Sequence, residues 1–385
     1  MLILGIETSC DDTSLALVSV EHGNHPELVE GSLPRFRVLK NLVSSQIKTH
    51  APFGGVVPNL AKREHTKNLP ILLRKILGIS NFQFPISKRT QKSKSKIPKI
   101  DMIAVTVGPG LEPALWTGIE FAKALAKDLK KPLVGANHLE GHLYSFLLPP
   151  QKKTEITNYQ LPITKLFPAI QLLVSGGHTI LVHMKNLREW KKLGETRDDA
   201  VGEAFDKVAR LLELPYPGGP EIERLARKGN PDAVAFPRPM ATQKNYDFSF
   251  SGLKTSVLYY LRDSCRPPHR SSPHMRGGKG GVLADTAASF QQAALDVLVQ
   301  KTIRAAREYS AKSVILSGGV AANKALRATL RREAKKIGGT FIAPEAEYRT
   351  DNAAMIAAAG YMAFLHKREL KKGGLKLKAD GCLSL

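Results

Sequence analysis

Short apolar runs bounded by turn-forming residues alternate along this chain with segments whose apolar positions recur at helical spacing, the pattern of an α/β protein. Leu2 to Ile6, the polar turn Glu7 to Thr13, and Leu15 to Val20 predict a β-hairpin whose loop is rich in hydroxyls and carboxylates. Ala169 to Val174, the turn Ser175 to Thr179, and Ile180 to His183 repeat that design. Each hairpin is followed by a strand, a glycine-rich turn and a helix. In the first half these are Ile103 to Val107, Gly108-Pro109-Gly110 and Thr117 to Lys127. In the second they are Val314 to Leu316, Ser317-Gly318-Gly319 and Ala322 to Lys336.

Two duplicated halves with hydroxyl or glycine loops facing each other suit a nucleotide held between lobes, because backbone N–H groups in such turns form anion sites. The expected architecture is therefore an actin-like ATPase (ASKHA) superfold, with two RNase H-like lobes around a central cleft. Residues 1–132 would form lobe I, 133–345 lobe II, and 346–385 a C-terminal helix and tail returning to lobe I. Any single Gly-Gly at a strand end is more simply a tight turn with nothing bound. Neither G-x-x-x-x-G-K-[ST] nor a strand-linked G-x-G-x-x-G occurs, which argues against P-loop and Rossmann readings.

Asp198 to Ala209 has helical spacing, with Ala, Val and Phe on one side and acids on the other. Tyr216-Pro217-Gly218-Gly219-Pro220 then breaks the chain before a further helix, Glu221 to Arg227. Acids beside a glycine turn suit the vicinal hydroxyls of a ribose, and equally a solvated helix face. Asn323 stands at a helix start, where it either caps the helix or reads an adenine edge.

The segment His138-Leu139-Glu140-Gly141-His142 places two imidazoles four apart, on one helix face, where they can share a divalent metal or form a satisfied surface or core pair. Its order is H-x-E-x-H. A zincin peptidase needs H-E-x-x-H, with the Glu beside the first ligand and over the metal-bound water. Two ligands hold a metal weakly, so a third donor is expected from a distant segment, and Asp351 is a candidate.

Composition narrows the classes. The chain has 385 residues, 43% of them hydrophobic, enough for a large core and two or three structural units. No apolar run reaches the roughly 18 residues of a membrane helix, and the chain opens on a strand-like segment, so a cytoplasmic protein without membrane contact is expected. Cys10, Cys265 and Cys382 are too few and scattered for a disulfide framework. Lys and Arg total 57 against 34 acids, a net charge of +23 that favours a polyanionic partner, nucleic acid foremost. Part of that excess sits in Lys88 to Lys99, with six basic and no acidic residues, and in Arg266 to Lys279.

Taken in order, Gly5 to Thr13, Gly54 to Pro58 with Arg63 and His65, His138 to His142, Ser175 to Thr179, Gly202 to Lys207, Phe250 to Thr255, Ser317 to Asn323 and Thr350 to Asn352 form a set that closely resembles the TsaD family, the tRNA adenosine threonylcarbamoyltransferases. The resemblance spans nearly the whole chain outside the inserts. It implies transfer of a threonylcarbamoyl group from L-threonylcarbamoyl-adenylate to N6 of adenosine 37 in tRNAs reading codons that begin with A, yielding t6A and AMP. It further implies one metal, Fe(2+) or Zn(2+), on His138, His142 and Asp351. The substrate loop would be Leu173, Val174, Ser175, Gly176 and Gly177, with Asp206, Gly219, Glu223 and Asn323 around the adenylate. Asp11 matches a position the family needs for activity and is the expected proton acceptor from the adenine amine. A TsaB-like paralogue and a TsaE-like ATPase are the implied partners besides tRNA.

Leu173 and His178 stand where the archaeal and eukaryotic branch has Tyr and Asn, so the chain reads as bacterial. Inserts at about Glu21 to Arg37, Ser80 to Lys99 and Arg266 to Gly281 exceed the usual family length and read as loops or extra tRNA contacts. Two other classes compete: a metal-dependent glycoprotein endopeptidase, against which the histidine order argues, and an actin-like-fold ATPase or kinase, in which paired histidines have no job.

Overall fold

A computed structural model describes residues 1–21, 33–78, 98–150, 163–264, 279–365 and 376–385. Cys265 and most of the three expected inserts lie outside these residues. The chain divides into two compact units: Met1–Thr164 with Pro344–Leu385, and Lys165–Ala343.

The first unit is built on β1 (Leu2–Glu7), β2 (Asp12–Glu21), β3 (Arg35–Ser45), β4 (Met102–Gly108) and β5 (Leu133–Asn137). Their order in the sheet is β3-β2-β1-β4-β5. β2 is antiparallel to β1 and to β3, whereas β4 and β5 run parallel to β1 and to each other. The expected hairpin is present with longer strands, since Glu7 pairs with Ser14 and the turn shrinks to residues 8–11. Interspersed are α1 (Ile47–His50), α2 (Pro58–Leu77), α3 (Glu112–Leu129) and α4 (His138–Tyr144). α2 and α3 bury Leu69, Leu73, Ile76, Ile119 and Leu125 against Leu4, Ile6, Leu15 and Leu17 of the sheet. α3 starts five residues before the expected Thr117, because Pro113 fits a first helical turn, where its missing N–H has no intrahelical partner to lose.

The second unit repeats this plan. After α5 (Ile163–Leu166) come β6 (Ala169–Val174), β7 (Thr179–Met184) and β8 (Trp190–Glu195), then α6 (Val201–Leu211), α7 (Gly218–Ala226), α8 (Ser251–Ser264) and α9 (Lys279–Glu308). β9 (Ser313–Ser317), α10 (Lys324–Lys336) and β10 (Thr340–Ile342) close it. The order β10-β9-β6-β7-β8, read backwards, is that of the first sheet, with β7 antiparallel to β6 and β9 parallel to it. Phe205, Val208, Phe290, Leu298, Leu326 and Leu330 fill the core between helices and sheet. α6 begins at Val201 rather than Asp198, because the Thr196 hydroxyl donates to the carbonyls of Asp198 and Asp199 and holds them in a turn.

α11 (Ala353–Leu365) returns to the first unit and packs across β1, β2, β4 and β5. It is apolar and buried on almost every side, as a helix without a polar face must be. Small residues allow the approach: a Cβ on Gly5 would strike the Ala353 carbonyl, and one on Gly360 the Cβ of Ala104. The expected boundary at 132/133 is displaced. β5 completes the first sheet beside β4, so β5 and the α4 that follows it, with both histidines of the H-x-E-x-H segment, belong to the first unit rather than to lobe II.

Candidate metal centre and glycine-lined cavity

In each sheet, chemistry-bearing residues gather at the carboxyl ends of the parallel strands, where α/β folds open onto ligands. In the first unit Glu7 ends β1, Thr106 lies near the carboxyl end of β4, and His138 follows β5. Asn137 starts α4 by capping it: its Oδ1 accepts from Leu139 N at 2.8 Å and Glu140 N at 3.4 Å. One turn separates His138 from His142, and their rings meet edge to face with centroids 4.8 Å apart. Gly141 between them has a packing reason. A Cβ there would press on Met355 and Ile356 of α11, so glycine lets α4 settle on α11 and brings in Asp351, just before that helix.

Asp351 Oδ1 lies 3.1 Å from His142 Nε2 and 3.5 Å from His138 Nε2. One donor atom from each of these three residues falls within 4.8 Å of the others. Behind them, the wholly buried Glu7 carboxylate takes His138 Nδ1 at 3.1 Å and Thr106 Oγ1 at 2.7 Å on Oε2, and Ser9 N–H on Oε1. Ser9 Oγ is also 3.1 Å from His138 Nδ1. Burial works against charge at Glu7 and at His138, but each is overcome by the other and, for the histidine, by Asp351. Glu7 is held below the usual carboxylate range and His138 is raised to about 9. Burial pushes His142 down.

The donor set fits a divalent cation. Two imidazoles and a carboxylate are common ligands of such ions, and the charges of Glu7 and Asp351 together balance a 2+ ion. The surroundings are electronegative as well. Burial, then the neighbouring acids, raise Asp12 to about 7, and burial and Asp351 raise Asp11. Asp12 Oδ1 is buried without a hydrogen-bond partner among the described residues. The loop carrying these acids is braced by His65, whose Nε2 is 2.9 Å from the Cys10 carbonyl and whose Nδ1 is 2.8 Å from Thr13 Oγ1. Cys10 and Cys382 are free thiols.

The second unit holds a cavity of about 170 Å³ lined by, among others, Gly176, Asp206, Gly219, Glu223, Gly319 and Asn323. Gly176 and Gly319 follow the carboxyl ends of β6 and β9. A Cβ on Gly176, Gly219 or Gly319 would meet nothing within 4 Å, so their missing side chains leave room and expose backbone rather than relieve packing. Gly108 and Gly110 of the first unit differ. Cβ atoms there would strike Asp380 and Ser9, so that turn is glycine because two segments press on it.

Asp206 Oδ1 accepts from Gly218 N at 2.7 Å and Glu223 Oε1 from Lys324 N at 2.9 Å, which ties α6, α7 and α10 around the cavity. Asn323 caps α10 through Leu326 N at 2.9 Å, and its amide donates to Gln291 Oε1 at 2.8 Å. Capping is therefore satisfied while the residue still lines the cavity. Leu173, Val174, Ser175 and Gly177 are absent from the lining. Leu173 and Val174 are completely buried in β6, Ser175 Oγ accepts from His178 N at 3.1 Å, and Gly177 is exposed. Of the expected substrate loop, only Gly176 reaches the cavity.

A family model described as TsaD, tRNA N6-adenosine threonylcarbamoyltransferase, matches residues 37–358. The chain belongs to the TsaD family. Curated relatives named tRNA N6-adenosine threonylcarbamoyltransferase include one from Thermosipho melanesiensis, 44% identical over 94% of this chain and 95% of its own length, and one from Bacillus subtilis, 44% identical over 94% and 91%. Among solved structures, T. kodakarensis HypF superposes with a TM-score of 0.54 at 16% identity, over 98% of this chain and 49% of HypF. This chain thus spans about half of HypF, and the likeness is one of fold, the actin-like ATPase fold. In this TsaD family chain, the polar residues that sequence reasoning left out of the site include Glu7, Ser9, Thr106 and Gln291. Glu7 carried a signal, an acid closing an apolar strand, whereas Thr106 and Gln291 carried none.

Proposed function

We infer that this TsaD family chain transfers a threonylcarbamoyl group to N6 of adenosine in tRNA, at adenosine 37 of tRNAs that read ANN codons, forming t6A. The observation that carries this is the match at 44% identity, over almost the full length of both chains, to relatives of that name. The donor is L-threonylcarbamoyl-adenylate and AMP leaves: the N6–C bond forms, the bond from the carbonyl carbon to the phosphate oxygen breaks, and one proton departs from N6.

Support for the site assignments comes from chemistry. Asp206, Glu223, Asn323 and the open glycines of the second unit suit an adenylate, with carboxylates for ribose hydroxyls and backbone N–H groups for phosphate. His138, His142 and Asp351 would hold one divalent metal, Fe(2+) or Zn(2+), which when bound supplies Lewis-acid polarisation of a carbonyl oxygen. Asp11 is assigned the N6 proton. Burial and Asp351 raise its carboxyl from the ordinary aspartate value, which makes it a better acceptor. A TsaB-like paralogue and a TsaE-like ATPase are the proposed partners, and the cytoplasm the proposed location. Among the described residues no helix is long and apolar enough to cross a membrane. The endopeptidase reading has nothing in its favour here, since the acid that touches the histidine pair from behind is Glu7 of a distant strand and not a neighbour in an H-E-x-x-H helix.

The decisive experiment combines the protein, its TsaB- and TsaE-like partners, ATP, unmodified tRNA and synthetic threonylcarbamoyl-adenylate, and looks for t6A nucleoside by mass spectrometry. Product from the parent and none from His138→Ala is the expected result. No product from folded, metal-loaded parent protein overturns the assignment.

A further inference from the structure

Glu7 is a carboxylate with no exposed surface, placed at the end of an otherwise apolar strand. Burying it unpaired would be strongly unfavourable, so its partners explain its presence. The Ser9 backbone N–H and the Thr106 hydroxyl are local donors that hold the carboxylate in one orientation. The third partner is His138 Nδ1 at 3.1 Å, from a residue 131 positions away. With both oxygens accepting from donors, the carboxylate has no proton to give, so the hydrogen between it and the imidazole sits on Nδ1. A neutral His138 then carries its lone pair on Nε2, the nitrogen 3.5 Å from Asp351 Oδ1, the same oxygen that His142 Nε2 approaches at 3.1 Å.

We propose that Glu7 is the positioning residue of the His138, His142 and Asp351 centre: it locks His138 in the Nδ1–H tautomer and in the ring orientation that presents Nε2 to a divalent cation. Carboxylate to histidine to metal is a recurring arrangement that raises ligand basicity, and its outer partner is worth about 10- to 100-fold in metal affinity. The charge balance agrees, because Glu7 and Asp351 supply two negative charges to a dication facing two neutral imidazoles. Ser9 Oγ, also 3.1 Å from Nδ1, is not equivalent. A hydroxyl can donate or accept, so it does not dictate the tautomer.

The proposal rests on the metal reading of the three-residue donor set, and its test separates the two. Co(2+) and Zn(2+) affinities of the full chain are measured by competition with a chromophoric chelator, together with the visible spectrum of the Co(2+) form and the thermal midpoint of the metal-free protein. Glu7→Gln keeps shape, but its amide can donate to Nδ1 and drive the proton onto Nε2. Its Kd should rise about 10- to 100-fold and its Co(2+) spectrum should shift. Ser9→Ala should stay within about threefold of the parent, with an unchanged spectrum. If Glu7→Gln does not fold, Thr106→Val removes the hydroxyl that orients the carboxylate; it should lower the thermal midpoint of a protein that still folds and weaken binding by about three- to tenfold. A folded Glu7→Gln protein with parental affinity and spectrum, a Ser9→Ala loss as large as that of Glu7→Gln, or an unaltered Thr106→Val overturns the role of Glu7. A parent that binds neither ion overturns the metal centre itself.

Discussion

At the scale of single residues, protonation at the metal centre has a defined direction. In the metal-free protein His138 rises to about 9, above its unfolded value near 6.5, through Asp351 and Glu7 against the cost of burial. The charged imidazolium therefore stabilises the fold fully below about pH 6.5, and this contribution is lost as pH climbs through 9. A cation must displace that proton, so apparent Zn(2+) affinity should increase about tenfold per pH unit between 6.5 and 9, with one proton released from His138. Chelator competition at three pH values checks this, and a flat profile contradicts it. The glycines of α7 give a second contrast. A Cβ at Gly218 would meet the Ala209 side chain and the Asp206 backbone, so Gly218→Ala should cost about 1–3 kcal/mol in denaturant unfolding. At Gly219 the Cβ meets nothing and points into open space. Gly219→Ala should leave the denaturation midpoint in place and raise the KM for the adenylate donor by about tenfold or more. Equal effects of the two substitutions on stability would contradict the assignment of Gly219 to the cavity.

At the scale of elements, the tail Asp380–Leu385 is held by backbone and side-chain bonds rather than by apolar burial. Asp380 N donates to the Val107 carbonyl at 2.8 Å, Gly110 N to the Gly381 carbonyl at 3.3 Å, and Asn137 Nδ2 to the Ser384 carbonyl at 3.0 Å. Asn137 also caps α4, so the tail steadies the start of the helix that carries both histidines. Removing residues 380–385 should cost about 1–3 kcal/mol, at roughly 1 kcal/mol per bond, and lower the thermal midpoint accordingly. A midpoint equal to that of the full chain would show the contact to be idle. This docking was not legible in the sequence, because it joins the Asn137 side chain to a residue 247 positions away through a carbonyl of the tail, and main-chain acceptors leave no pattern. Hairpins, glycine turns and the H-x-E-x-H helix were legible, since periodicity and capping are local. The boundary at 132/133 failed for the opposite reason: Leu133–Asn137 reads as any strand, and only its pairing with β4 says which sheet it completes. The Gly108-Pro109-Gly110 turn looked like its counterpart Ser317-Gly318-Gly319, yet its glycines answer to packing against Ser9 and Asp380.

For the whole molecule, the dominant physical property is the excess of 57 basic over 34 acidic residues, a net +23. Much of the acidic complement is already engaged. Asp199 binds Lys207 and Lys254, Asp247 binds Arg197, Asp296 binds Arg238, and Glu7 and Asp351 face the paired histidines. The remaining charge is thus predominantly positive and free to attract a polyanion from a distance. For a transferase whose acceptor is one base in a large folded RNA, this field supplies affinity, while selection of the target base must come from the site. Those two contributions separate by salt. Phosphate contacts release counterions, so the logarithm of tRNA affinity should fall linearly with the logarithm of salt concentration, with a loss of roughly tenfold or more between 50 and 200 mM. Selection of the modifiable base should survive the same change, since it does not rest on counterion release. Filter binding of unmodified tRNA across a salt series, with the site of t6A read at each salt, checks both parts. Salt-insensitive affinity would mean that the +23 charge serves something other than tRNA.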